Sequence, residues 1–240
     1  MIQVDSSSPS QGPAAPGFLS GCRDSLPVCF AFLFLFFSIG ASCRRHEFTA
    51  AQALATTLGI HAAPLQAFLA QNASSLSLAT LLFAALVINF RFIFISSALA
   101  SSFQRVPLWQ SLVSVQMLSA STFTLCATRK GAADAGYPYF LGCGSTTLAS
   151  ALLSTGLGFH FALDHLPFAG GIVDIVLPVH FSALAALSWP RAAPLLATAA
   201  GFLLTPVLGR YLQPYHVFAL AIGVGLAALL FEACAARRSA

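Results

Sequence analysis

Two ionisable side chains stand where a chain of this kind can least tolerate them. Asp174 sits in "IVDIVLPVHF" and Arg91 in "VINFRFIFIS", each inside an apolar run. At membrane depth a carboxylate costs about 2.5–3.5 kcal/mol on insertion scales, and more when no partner or water reaches it. Asp174 lies a few residues into its run, so an acid that reaches back to water competes with a functional role. Pro178, four residues on, removes the helical bond of the Asp174 carbonyl, and a freed carbonyl beside a carboxylate makes a cation or ammonium site. Arg91 has about a dozen apolar or small residues on either side, which leaves little room for snorkelling to the interface. A buried guanidinium calls for a carboxylate, from Asp174 or from a substrate. Asn89 and Gln66 can add amide hydrogen bonds to such a site, although amides also join helices with no further purpose.

The composition requires elements that place these groups in a bilayer. The chain has 240 residues, of which 58% are hydrophobic and 8% charged, against roughly 25% charged in a soluble domain. A single soluble core cannot hide that much apolar surface. The reading is an all-α, polytopic helical membrane protein. Candidate segments are Ser25–Ser42, Phe48–Gln71, Ser75–Phe103, Leu108–Thr128, Tyr139–Leu163, Ile172–Leu187, Ala192–Leu208 and Tyr215–Ala233, several of which reach the ~20 residues that span a hydrocarbon core. Seven or eight crossings result, depending on whether Phe48–Gln71, interrupted by Pro64, crosses as a broken helix or turns back. Residues 1–20 read as a disordered tail without the basic start of a signal peptide, and 21–240 as one transmembrane domain.

The pentapeptides "LPVCF" at Leu26–Phe30 and "LPVHF" at Leu177–Phe181 share four of five positions. Proline-interrupted segments at matching places, here with Pro27 and Pro178, are what inverted-repeat transporters use to build a midplane site. Enzyme motifs are missing: there is no GxSxG, HExxH or GxxxxGK[ST]. The six cysteines form no CxxC pair and read as packing residues. His61, His180 and His216 stand singly and read as hydrogen-bonded structural histidines. No cofactor or metal site is expected. The net charge of +4 is spread along the chain without a basic run, which argues against nucleic acid.

Taken in order, the motifs resemble the AzlC-type permeases, the large subunits of branched-chain amino-acid exporters. "FLSGCRDSLP" is similar to that family's opening Phe, Gly, Arg and Leu-Pro. "HAAPLQ", ending at Gln66, resembles its small-residue-then-Gln element. "LVINFRFIFISSALA" places Asn89 and Arg91 on the family's Asn and Arg, "RVPLW" matches its Pro-Leu-Trp loop, and "GGIVDIVLPVHFSALAAL" aligns Asp174, Pro178 and Phe181. The departures are Phe92 in place of a histidine, Ala63 in place of a glycine and followed by Pro64, and Ala120 and Ser121 in place of an acidic pair. The resemblance implies a permease of a bacterial inner membrane, an apolar amino acid as substrate, and a small AzlD-like membrane subunit as partner. The residues themselves supply the site: Arg91 would hold the substrate carboxylate and Asp174 with its freed carbonyl the ammonium or a coupling proton, with Asn89 and Gln66 lining the path and Pro27 and Pro178 breaking their helices around it. The alternative, favoured by the missing acidic pair, is a membrane scaffold or accessory subunit that transports nothing.

Overall fold

The computed structural model describes residues 17–104, 106–128, 136–161 and 192–211, together with a few helical positions beyond them. Every element among the described residues is helical. A short α1 (Phe18–Asp24) gives way at Ser25 to α2 (Leu26–Arg45), with Pro27 in the first turn of α2. There its missing N–H would have had no helical partner in any case. Helix therefore begins at Phe18, inside the stretch read as a tail. The rest of that tail, residues 1–16, lies outside the described residues.

α2 is 20 residues long, about 30 Å at 1.5 Å per residue, enough to span a hydrocarbon core. α9 (Tyr137–His160) is the second such helix, and both are long and apolar enough to cross a membrane. Between them the chain forms three pairs of half-helices. α3 (Ala50–Ile60) and α4 (Ala63–Asn72) are separated at His61 and Ala62. α5 (Leu78–Asn89) and α6 (Arg91–Phe103) meet at Phe90 with a bend of 41° and pass as one span only when taken together. α7 (Leu108–Ser114) runs into a 3₁₀ turn at Val115–Met117 and an extended Leu118 before α8 (Ala120–Thr128). α10 (Ala192–Tyr211) follows, with Pro206 inside it. The segment 48–71 is thus broken, as its proline foretells. The segments 75–103 and 108–128, read as continuous, are broken too. Seven or eight complete crossings are not defined by the described residues. The segments 172–187 and 215–233, with Asp174, Pro178 and the second pentapeptide, fall largely outside them.

The local sequence explains the half-helices. Thr49 closes a capping box at the start of α3, accepting from the Gln52 backbone N–H at 3.2 Å while its own N–H donates to Gln52 Oε1 at 2.8 Å. Ser77 caps α5 through the Thr80 N–H. α3 ends at His61, a non-glycine residue in the left-handed region with φ 42°, and Pro64 then restarts the helix as the second residue of α4.

α9 packs most extensively against α2, and also against α1 and α3. Glycines allow the approach. A Cβ on Gly142 would overlap the Phe18 carbonyl oxygen, and one on Gly21 the Tyr139 carbonyl oxygen; Gly158 and Gly40 stand in the same relation to Phe37 and Thr155. Sulfur contacts reinforce the first crossing reciprocally, Cys143 Sγ lying 3.3 Å from the Gly21 carbonyl and Cys22 Sγ 3.6 Å from that of Gly142. The five described cysteines are free thiols. Further along, the Ser150 hydroxyl donates to the Cys29 carbonyl at 3.1 Å, and the Arg44 guanidinium to the Phe159 and His160 carbonyls at 3.1 and 3.3 Å.

Candidate functional site

The three helix breaks meet at one place. A cavity of about 160 Å³ is lined by His61, Ala62, Ala63 and Pro64 from the first break, Arg91 and Phe92 from the second, and Ser119, Ala120 and Ser121 from the third. Phe32, Leu35 and Phe36 of α2 form its apolar wall. The volume lies below the ~300 Å³ at which pockets for drug-sized molecules begin, so it suits a small ligand. Irregular backbone at membrane depth is tolerated where it lines a cavity or is buried in protein, and here it does the former.

The half-helices give the cavity two electrical ends. Residues of the first turns of α4, α6 and α8 line it, and helix N-termini carry a partial positive charge from their unpaired N–H groups. At α8, Ser119 precedes the helix and accepts from the Thr122 N–H at 3.1 Å, while the Ser119 and Thr122 hydroxyls lie 2.9 Å apart. Arg91 is the first residue of α6, a position where the helix dipole disfavours a cation. Its buried Nε has no hydrogen bond among the described residues, and its Cζ lies 5.4 Å from the centroid of the Phe92 ring. A positive side chain at a positive helix end, with hydrogen-bond capacity to spare, is arranged to receive an anion.

His61 occupies the opposite polarity, at the C-terminus of α3. The Leu58 and Gly59 carbonyls in that last turn accept from Gln116 Nε2 at 3.4 and 2.9 Å. The His61 ring is 2% exposed, and neither ring nitrogen makes a hydrogen bond within the described residues. This corrects the sequence reading of His61 as a hydrogen-bonded structural histidine. The signal that could have flagged it is local: a lone histidine at a helix break ahead of "AAP".

The other candidates distribute as follows. Asn89 lines a second, neighbouring cavity of about 250 Å³ that shares Phe92 with the first and is bordered by Gly59, Ile60, Ser96 and Gln116. Its buried Oδ1 is unpaired. Gln66 is 1% exposed with both amide atoms unpaired, but it lines neither cavity. Pro64 lines the first cavity; Pro27 does not. Asp174 and Pro178 lie outside the described residues. No group of three His, Cys, Asp or Glu that could hold a metal occurs among the described residues.

A family model described as AzlC protein matches residues 27–163, more than half of the chain. The chain belongs to the AzlC family. No curated protein and no solved structure matches it. The matched region runs from α2 through α9 and contains the whole lining of the first cavity, so this AzlC protein is a helical membrane protein with a transport-related function. The match ends before Asp174. Within it, the departures noted from sequence, Ala63, Pro64, Phe92, Ala120 and Ser121, all line one cavity. They are spread over some sixty residues of sequence, so their convergence is a property of the fold.

Proposed function

We propose that this AzlC protein is a multi-pass permease of a bacterial inner membrane that exports branched-chain or similarly apolar amino acids. The proton gradient drives it, and a small AzlD-like subunit accompanies it. The observation that carries the reading is the bipolar cavity at the three helix breaks. An amino acid presents a carboxylate, an ammonium and a side chain. Arg91 and the N-terminal turns of α6 and α8 suit the carboxylate, the C-terminal end of α3 suits the ammonium, and Phe32, Leu35, Phe36 and Phe92 suit an apolar side chain. Asn89 and Gln66 supply amide groups beside that path. Asp174 serves as a second acceptor for the ammonium or for a coupling proton.

The test is efflux from cells preloaded with valine, leucine, isoleucine or methionine through dipeptides, with and without this chain and its neighbouring small subunit. Export that speeds up with the chain and collapses when the proton gradient is discharged is the expected result. Asp174→Asn should abolish gradient-driven export while leaving membrane insertion intact.

One observation favours a second reading, an accessory subunit that transports nothing: the positions of the expected acidic pair are Ala120 and Ser121, at the cavity itself. A charge-swapped double mutant of Arg91 and Asp174 separates the two. Recovery of folding without transport marks a site, and recovery of everything marks a structural ion pair.

A further inference from the structure

We infer that His61 is the group at which proton and substrate exchange in this cavity, one ring nitrogen accepting either a proton or the substrate's ammonium, never both. The inference rests on the permease reading above and assigns its coupling step to a residue.

The surroundings of His61 leave it free for that role. From α2 it faces the rings of Phe32 and Phe36, at 6.0 and 6.1 Å between centroids. These rings seal one side against water and offer no hydrogen bond in their planes. From α3 itself, the nearby Thr57 hydroxyl is already committed to the Ala53 carbonyl and to Thr155 Oγ1 at 3.0 Å. The main chain of Gln116 approaches the ring and offers it an acceptor, though not in the geometry of a full hydrogen bond. Across the cavity stand the Ser119 and Ser121 hydroxyls and Arg91, the one charged group in the described lining. The left-handed backbone at His61, a conformation histidine adopts more readily than most non-glycine residues, places the residue at the break rather than along a helix face.

A neutral imidazole has one N–H donor and one lone pair. Arg91 has donors only. An ammonium in the cavity therefore needs an acceptor that Arg91 cannot give, and the His61 lone pair is one. Protonation consumes that lone pair and places a second cation beside Arg91, which repels the ammonium. Binding on the inner side then reads: protonated His61 plus amino acid gives neutral His61 hydrogen-bonded to the ammonium, with the proton released to inner water. On the outer side a proton from outer water takes the lone pair and the amino acid leaves. Charge and protons balance in each half, and no other reactant is needed. One proton enters for each amino acid exported, the direction a gradient-driven exporter needs.

The experiment measures proton release when leucine is added to the purified full-length protein, with its small subunit if that co-purifies, in weakly buffered solution containing a pH indicator. Leucine–leucine exchange in vesicles is measured in parallel. The expected result is release of about one proton per leucine bound once the solution is acid enough to charge the buried imidazole before leucine is added. In His61→Gln, which keeps a polar group but cannot take up a proton, exchange should persist at a reduced rate while proton release and gradient-driven accumulation vanish. Exchange by the wild type without proton release overturns the role of His61 and leaves the permease reading standing. Absence of exchange by the wild type overturns the permease reading and this inference with it. Proton release retained in His61→Gln overturns the assignment to this residue. Should His61→Gln fail to fold, the converse variant decides, with His46, His160, His165, His180 and His216 all replaced by Gln. Release that persists there, and persists again when Asp174→Asn is added, supports His61, and release that disappears in either variant overturns it.

Discussion

The seam formed by α1, α2 and α9 differs from the ring of half-helices α3–α8 in how each spends its small residues. At the seam, glycines bring backbones into contact at two levels, and polar side chains reach across it, Ser150 to the Cys29 carbonyl and Tyr139 to the Asp24 carboxylate at 3.0 Å, with Ser154 Oγ of α9 the exception that stays unpaired among the described residues. In the ring, helices stop and restart, and His61, Gln66, Asn89 and Arg91 keep polar atoms without hydrogen bonds among the described residues. Buried polar groups are ordinarily paired, and an unmade bond costs roughly 1–3 kcal/mol. One side of the molecule is therefore built to stay as it is. The other keeps bonding capacity for a visitor.

That contrast breaks most readily at the seam. Gly142→Leu or Gly158→Leu forces a side chain into an opposing backbone, which cannot yield as a flexible side chain would. Overpacking costs typically 1–3 kcal/mol even in adaptable cores, so the expected outcome is loss of monodisperse protein on size-exclusion chromatography. Gly156 is on the same helix, but its nearest foreign atom is Leu54 Cδ2 at 3.8 Å. Gly156→Ala should instead raise thermal stability by about 0.5–1 kcal/mol through helix propensity. Parity between the Gly156 and Gly158 substitutions would dissolve the seam as described.

In the ring the expected signs reverse. Arg91→Ala should leave the elution profile unchanged and reduce amino-acid efflux at least tenfold, and Arg91→Lys should recover little of it because a point charge does not reproduce the planar fork. Gln66→Leu sharpens the comparison further. Removing a buried amide with both atoms unpaired should raise the melting temperature, by an amount equivalent to about 1 kcal/mol, while transport falls if the amide serves the path. At the seam again, Tyr139→Phe removes one hydrogen bond and should lower stability by about 1 kcal/mol without altering efflux.

The long helices were legible in sequence because uninterrupted apolar runs bounded by charges leave few alternatives: 25–42 and 139–163 anticipate α2 and α9 within a few residues. The break near Pro64 was legible for a covalent reason, the missing N–H. The other two breaks carry no such mark. Phe90 lies in an apolar run without proline or glycine, and "SVQMLSAST" reads as a mildly polar helix. Its 3₁₀ turn is set by tertiary packing, since Met117 lies in a notch that Gly144 leaves open, where a Cβ would come within 2.6 Å of Met117 Cβ. No local pattern foretells a notch supplied by a helix some twenty-five residues away. For the site, Arg91 stood out by its charge. His61 did not, because its meaning comes from Arg91 and the start of α8 facing the same space.

The contacts between the two long helices also constrain the path of the chain. Gly21 meets Gly142, Cys29 meets Ser150, Phe37 meets Gly158, and Arg44 meets Phe159 and His160. Both partners advance together, so α2 and α9 point the same way. If each traverses the bilayer, Arg45 leaves on one face and Tyr137 enters from the other, and the chain between them makes an odd number of net passages. Three broken pairs lie in that interval. Either all three traverse, or one does and two turn back; an arrangement in which the α3–α4 pair alone returns to its own side is forbidden. A reporter in the 73–77 turn on the Arg45 face means that α3–α4 turns back; on the Tyr137 face α3–α4 crosses, and a second reporter at Pro107 then separates three passages from one.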